Sequence, residues 1–148
     1  MRVEDIMTRT VVAVAPEMTI KDLLEFWKSH SYSGFPVVEE GQVVGVVSET
    51  DLVYRDRPFH APAFVTILDM VIPLESQKHL HDELRKTMGA QVRDVMTAPA
   101  TTIGPDEEVG KAADLMTKNR LHRLPVVDHQ GKLVGIISSS DLLRTMSA

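Results

Sequence analysis

The chain is written twice, and that duplication constrains its fold more than any other feature. Val3-Glu4-Asp5-Ile6-Met7-Thr8 returns as Val92-Arg93-Asp94-Val95-Met96-Thr97. At the same offset Pro16 returns as Pro105, and Phe35-Pro36-Val37-Val38 as Leu124-Pro125-Val126-Val127. One inserted residue shifts the register. After it, Gly41 matches Gly131, and Gly45-Val46-Val47-Ser48-Glu49-Thr50-Asp51-Leu52 matches Gly135-Ile136-Ile137-Ser138-Ser139-Ser140-Asp141-Leu142. These blocks assign residues 1–53 to a first repeat and 92–148 to a second, joined by 54–91. A unit of about 50 residues is too small to bury a core of its own comfortably. Two copies are therefore expected to pack sheet to sheet about a pseudo-twofold axis, as one α/β (α+β) domain made of two halves.

Each copy reads as strand, helix, strand, strand, helix. Val11-Val12-Ala13-Val14 is a short apolar run stopped by Pro16, whose fixed φ and missing N–H end a strand or open a helix. Thr19 then serves as N-cap with Asp22 three residues on, and Ile20, Leu23, Leu24 and Trp27 follow at the spacing of one buried face. In the second copy Asp106 or Glu107 takes the capping place, while Val109, Ala112, Ala113 and Met116 form the stripe. Phe35-Pro36-Val37-Val38, a turn at Glu40-Gly41, and Val43-Val44-Gly45-Val46-Val47 predict a hairpin buried on both faces. His129-Gln130-Gly131 turns its second copy. Each hairpin runs into a helix, at Thr50-Asp51 or at Ser140-Asp141.

Composition removes whole classes of chemistry. There is no Cys, so disulfides, thiolate metal sites and thiol nucleophiles are excluded, which suits a reducing compartment. Sixteen Lys and Arg against 21 Asp and Glu leave a net charge of -5, a field that repels polyanions, so no nucleic-acid partner is expected. No stretch approaches the roughly 18 apolar residues of a membrane span. Acidic residues at Glu4 and Asp5 stand where a signal peptide needs an apolar run. The expectation is a cytoplasmic protein without a membrane partner. His79-x-His81 is not a metal pair, because helical neighbours two apart point in different directions. No nucleophile–base grouping has motif support, so no catalytic residues are assigned. The joining segment carries Phe64, Val65, Ile67, Leu68, Met70, Val71 and Ile72, too apolar for a flexible linker. Residues 75–88 read as an amphipathic helix with Leu80, Leu84 and Met88 in one row, serving as a lid on its own chain or as a contact with a second one.

The tandem blocks Asp-(Ile/Val)-Met-Thr, (Phe/Leu)-Pro-Val-Val and Gly-h-h-Ser-x-x-Asp, with h apolar, resemble a pair of cystathionine-β-synthase (CBS) domains, a Bateman module. The resemblance covers both repeats. It implies two βαββα-type halves and a cleft between them that binds adenine nucleotides (AMP, ADP or ATP) or a related adenosyl compound such as S-adenosylmethionine. It also implies that occupancy is reported to a partner.

The residues themselves give that cleft a physical reading. Vicinal ribose hydroxyls are well held by an ionised carboxylate at a helix start, the role given to Asp51 and Asp141. Ser48, Thr50, Ser138 and Ser140 are short hydroxyls beside the free N–H groups of that helix start, where phosphate is favoured. The same pattern is also an ordinary N-cap. Only the second repeat adds cations, His122 and Arg123, the latter a planar fork suited to phosphate oxygens; the first has Ser33-Gly34 there. Adenine is expected around Ala13-Val14 and Thr102-Ile103. The leading expectation is a stand-alone regulatory module, homodimeric, acting on an unidentified effector protein. The alternative is a ligand-free oligomerisation or protein-interaction module.

Overall fold

A computed structural model describes residues 1–53 and 89–147. The joining segment, with its expected helix at 75–88 and His79 and His81, lies outside the described residues. The elements in order are α1 (Val3–Ile6), α2 (Ile20–Lys28), β1 (Gly34–Glu39), β2 (Gln42–Ser48), α3 (Glu49–Val53), α4 (Val92–Val95), α5 (Val109–Asn119), β3 (Arg123–Val127), β4 (Leu133–Ser138) and α6 (Ser139–Met146). Helix and strand are mixed as the α+β expectation requires, with β1 paired to β2 and β3 to β4 in two hairpins. Among the described residues no helix is long and apolar enough to cross a membrane.

The hairpins follow from local chemistry. Glu40 and Gly41 both take positive φ, 52° and 81°, the conformation of a two-residue turn whose twist matches that of the strands it joins. In the longer turn Gly131 has φ 81°, and Asp128 Oδ1 accepts from the backbone N–H groups of Gln130 and Lys132, both at 2.9 Å. Strand β3 is buried through Leu124, Pro125 and Val126, whereas β4 alternates between buried and half-buried residues.

The apolar runs before α2 and α5 do not form strands. Each is reduced to one parallel bridge, Val14 with Val37 and Ile103 with Val126. Prolines set that limit. Val14 N–H donates to Pro36 O at 3.0 Å, and Ile103 N–H to Pro125 O at 3.1 Å. Extending either ladder backwards would need an N–H from the same proline, which has none.

The compact units of the fold cut across the repeats. One comprises Met1–Ala13, Val38–Gly45 and Ala98–Ala148; the other comprises Val14–Val37 and Val46–Thr97. Each contains the opening segment of the other repeat. In the first unit Val3 N–H donates to Glu107 O at 2.8 Å, Glu4 N–H to Pro105 O at 2.9 Å, and Val109 N–H to Met1 O at 3.1 Å. In the second unit Val92 N–H donates to Met18 O at 2.8 Å, Arg93 N–H to Pro16 O at 3.0 Å, and Ile20 N–H to Ala90 O at 2.8 Å. These bonds supply partners for N–H groups that a helix start leaves open. They also correct the expected cap of α5. Its N-cap is Glu108, whose side chain makes no capping bond, rather than Asp106 or Glu107. Thr19 does cap α2, accepting from Asp22 N–H at 3.1 Å.

The core of the first unit gathers Val3, Met7, Ile103, Ala112, Met116, Leu124, Val126 and Ile137. In the second, Val14, Ile20, Leu23, Leu24, Phe35, Val37, Val47, Leu52, Val92 and Val95 are buried. Phe35 is ringed by Phe26, Trp27, His30 and Tyr32, with centroids between 5.0 and 6.1 Å away. Trp27, expected on the packed face of α2, does pack against Phe35, and Phe26 packs beside it.

Candidate functional site

The chemistry collects where β4 runs into α6. Ser138 is extended and caps the helix: its Oγ accepts from Asp141 N–H at 3.2 Å. Asp141 reciprocates through Oδ2, which accepts from Ser138 N–H at 2.8 Å and from Ser138 Oγ–H at 2.9 Å. Asp141 is only 6% exposed. Its other oxygen, Oδ1, accepts from Arg144 Nη2, one turn along the helix. The carboxylate is thus the N3 half of a capping box first, and its second oxygen is closed by a side chain that is 74% exposed.

Strand pairing brings the cations to this place. Arg123 stands opposite Ser138 across the β3–β4 ladder, and Ser139 N–H donates to His122 O at 2.8 Å. His122 and Ser140 are exposed, while Arg123 is half-buried. Arg123 Nε is shielded from solvent and has no hydrogen-bond partner among the described residues. A buried donor left open costs about 1–3 kcal/mol until an acceptor arrives. His122, Arg123, Ser138, Ser140 and Asp141 are therefore one cluster at the start of α6.

In the first repeat the same carboxylate-to-serine bonds recur with different neighbours. Asp51, 8% exposed, accepts through Oδ2 from Ser48 N–H at 2.9 Å and Ser48 Oγ–H at 3.2 Å. Its Oδ1 accepts from Thr97 Oγ–H at 2.6 Å, and the Ser48 and Thr50 hydroxyls share a bond of 2.8 Å. Gly34 stands where the second repeat has Arg123. A Cβ there would lie 2.8 Å from Val47 O and 3.2 Å from Ser48 Cα, so the backbone approach itself excludes a side chain. Thr97 and Arg144 were not singled out by the sequence reading. Thr97 could have been found as the last residue of a repeated block, and Arg144 by its i,i+3 spacing from Asp141.

The adenine-side residues divide. Val14 and Ile103 are each 3% exposed and belong to the cores; Ala13 and Thr102 are half-buried. Both backbone groups of Ile103 are spent on β3, its N–H on Pro125 O and its carbonyl on Val127 N–H. Thr102 and Ile103 line a cleft of about 270 Å³ together with Gly104, Asp106, Asp128 and His129. That cleft lies toward Val127, the opposite end of β3 from Arg123. The Asp128 carboxyl is held below its ordinary range, foremost by the Lys132 backbone N–H, against an opposing desolvation and with help from Gln130 N–H and the Lys132 and His129 charges. With Asp106, Glu107 and Asp128 on its wall, and Lys111 paired to Glu107 at 2.9 Å, this cleft is poorly suited to phosphate.

Residues 3–57 and 92–148 match the CBS domain family. The chain is 31% identical over 156 residues to the uncharacterized protein MJ1426 of Methanocaldococcus jannaschii, across 99% of this chain and 91% of that protein. It is 28% identical over 144 residues to inosine-5'-monophosphate dehydrogenase of the same organism, across 97% of this chain but only 23% of the enzyme. Among solved structures it is similar to CBSX2 from Arabidopsis thaliana in complex with AMP, with 29% identity and a TM-score of 0.72 over 99% of this chain and 96% of that one.

Proposed function

The chain belongs to the CBS domain family, and from that premise we propose that it is a regulatory module whose second repeat binds an adenine nucleotide, AMP foremost, and signals occupancy to a partner. The observation that carries this reading is Arg123: its Nε is shielded from solvent and has no hydrogen-bond partner among the described residues, and its backbone is paired with Ser138, the N-cap of α6. A phosphate there would meet the guanidinium fork, the Ser140 hydroxyl and the N-terminal dipole of α6, while ribose would turn to Asp141. One fork and one helix start suit a monophosphate. CBSX2 binds AMP on the same fold. The similarity to inosine-5'-monophosphate dehydrogenase touches less than a quarter of that enzyme, so it supports a module rather than a catalyst.

Thermal unfolding with adenosine, AMP, ADP, ATP and S-adenosylmethionine tests the proposal. A ligand at 100 times its Kd adds roughly 2.7 kcal/mol of stability. For a chain of this size that raises Tm by about 5–10 °C. Arg123→Ala is expected to weaken AMP while leaving adenosine nearly unchanged, and the preference for AMP over adenosine is expected to shrink as salt rises. Equal binding of adenosine and AMP by the parent protein, or binding of S-adenosylmethionine alone, would remove the phosphate role.

An assembly role has its own support in Leu143 and Met146, which are 64% and 80% exposed on α6. Large apolar side chains left open on one helix favour a second copy. Light scattering is expected to give twice the 16.5 kDa of one chain at micromolar concentration, and a monomer would oppose it.

A further inference from the structure

The two repeats place different donors on the same carboxylate oxygen. Asp51 Oδ1 takes a neutral hydroxyl from Thr97, whereas Asp141 Oδ1 takes the charged guanidinium of Arg144. Asp141 is buried and its Oδ2 already accepts from both the N–H and the hydroxyl of Ser138. A ribose hydroxyl that reaches this carboxylate must therefore approach Oδ1, the oxygen Arg144 covers. Arg144 is well placed to leave, since its side chain is 74% exposed and the pair spans only three residues along α6. We infer that Arg144 is an intramolecular competitor for the ribose site. It sets the affinity of the second repeat and makes that affinity respond to ionic strength. The inference rests on the ribose role of Asp141 proposed above.

The magnitude follows from the kind of pair. An i,i+3 ion pair whose cation is 74% exposed, though its carboxylate is buried, is worth about two- to five-fold in an equilibrium constant. The competitor is thus a shallow one, able to tune binding without abolishing it. Salt separates this effect from the phosphate contact, because the two have opposite signs. Screening weakens AMP by loosening its hold on Arg123, but it strengthens a neutral nucleoside by loosening Arg144 from Asp141.

Calorimetry with adenosine and with AMP, on the parent protein, Arg144→Gln and Arg144→Lys, tests the inference. In the parent, adenosine is expected to tighten about two- to five-fold between roughly 0.05 and 0.5 M KCl while AMP weakens. Arg144→Gln is expected to bind adenosine at low salt as tightly as the parent does at high salt, with no further rise, and Arg144→Lys to restore the rise in part. The salt titration of the parent needs no variant to fold. If adenosine affinity ignores salt in the parent, or is unchanged or weakened by Arg144→Gln while AMP still binds, Arg144 does not compete. If neither adenosine nor AMP binds the parent, the nucleotide reading falls, and this inference with it.

Discussion

Asp141→Ala is expected to lower the affinity for AMP about 10- to 100-fold, because it removes charge-assisted hydrogen bonds to ribose worth on the order of 1.5–3 kcal/mol. The same change removes the carboxylate half of the α6 capping box, the bond that Oδ2 accepts from Ser138 N–H at 2.8 Å, while Ser138 Oγ still accepts from the backbone N–H of residue 141; losing one such bond costs about 0.5–1.5 kcal/mol of stability. Binding and folding must therefore be read separately. Asp141→Asn keeps an oxygen for the Ser138 N–H and so retains most of the cap, but it removes the negative charge that strengthens a bond to ribose. Calorimetry that finds AMP affinity intact in Asp141→Ala, with the fold preserved by circular dichroism, would leave Asp141 as a cap and nothing more. Asp51→Ala is expected to matter less for AMP, since Gly34 stands where the second repeat has Arg123 and its backbone leaves no room for a side chain.

The repeated blocks carried the α+β architecture, because duplication, proline positions and apolar spacing are written locally. Glu40-Gly41 specifies its turn through two positive φ values, and Ile20, Leu23 and Leu24 specify the buried face of α2 through their spacing alone. What lay beyond the sequence depended on pairing at a distance. Nothing local in Val3-Glu4-Asp5 says that it will bond to Glu107 and Pro105, so the exchange of opening segments was invisible, and so was the backbone cap that Met1 O gives α5. The apolar run through Val14 looked like a strand because its own residues suit one, but its ladder is decided by the missing N–H of Pro36, a partner 22 residues away. At the candidate site the residue types were legible as ligand or cap. That Asp141 spends one oxygen on the cap and shares the other with Arg144 is a matter of rotamers, which no spacing rule contains.

The exchange of opening segments makes a direct demand on one glycine. Thr8 N–H donates to Ile136 O at 2.8 Å and Ile136 N–H to Thr8 O at 2.9 Å, so the backbone before Arg9 lies against β4 next to Gly135. A Cβ on Gly135 would fall 2.6 Å from Met7 Sδ, 3.1 Å from Met7 Cγ and 3.0 Å from Thr8 O. The sulfur can swing aside, but the carbonyl is held by the Ile136 bond and cannot. Gly135→Ala is therefore expected to destabilise the protein by about 1–3 kcal/mol, the usual range for overpacking a closed interior. At roughly 2–4 °C per kcal/mol for a chain of this size, thermal unfolding reads that as a clear drop in Tm. Gly110 in α5 is the control, because nothing lies within 4 Å of its Cβ position. There alanine is expected to stabilise by about 0.4–1 kcal/mol through the unfolded chain and helix propensity. Adding Met7→Ala to Gly135→Ala should cost less than the sum of the two single changes, since the first removes part of what the second collides with. Were Gly135→Ala as harmless as Gly110→Ala, the opening segment would not be packed on β4, and the regrouping of the two repeats into units that share their first residues would have to be given up.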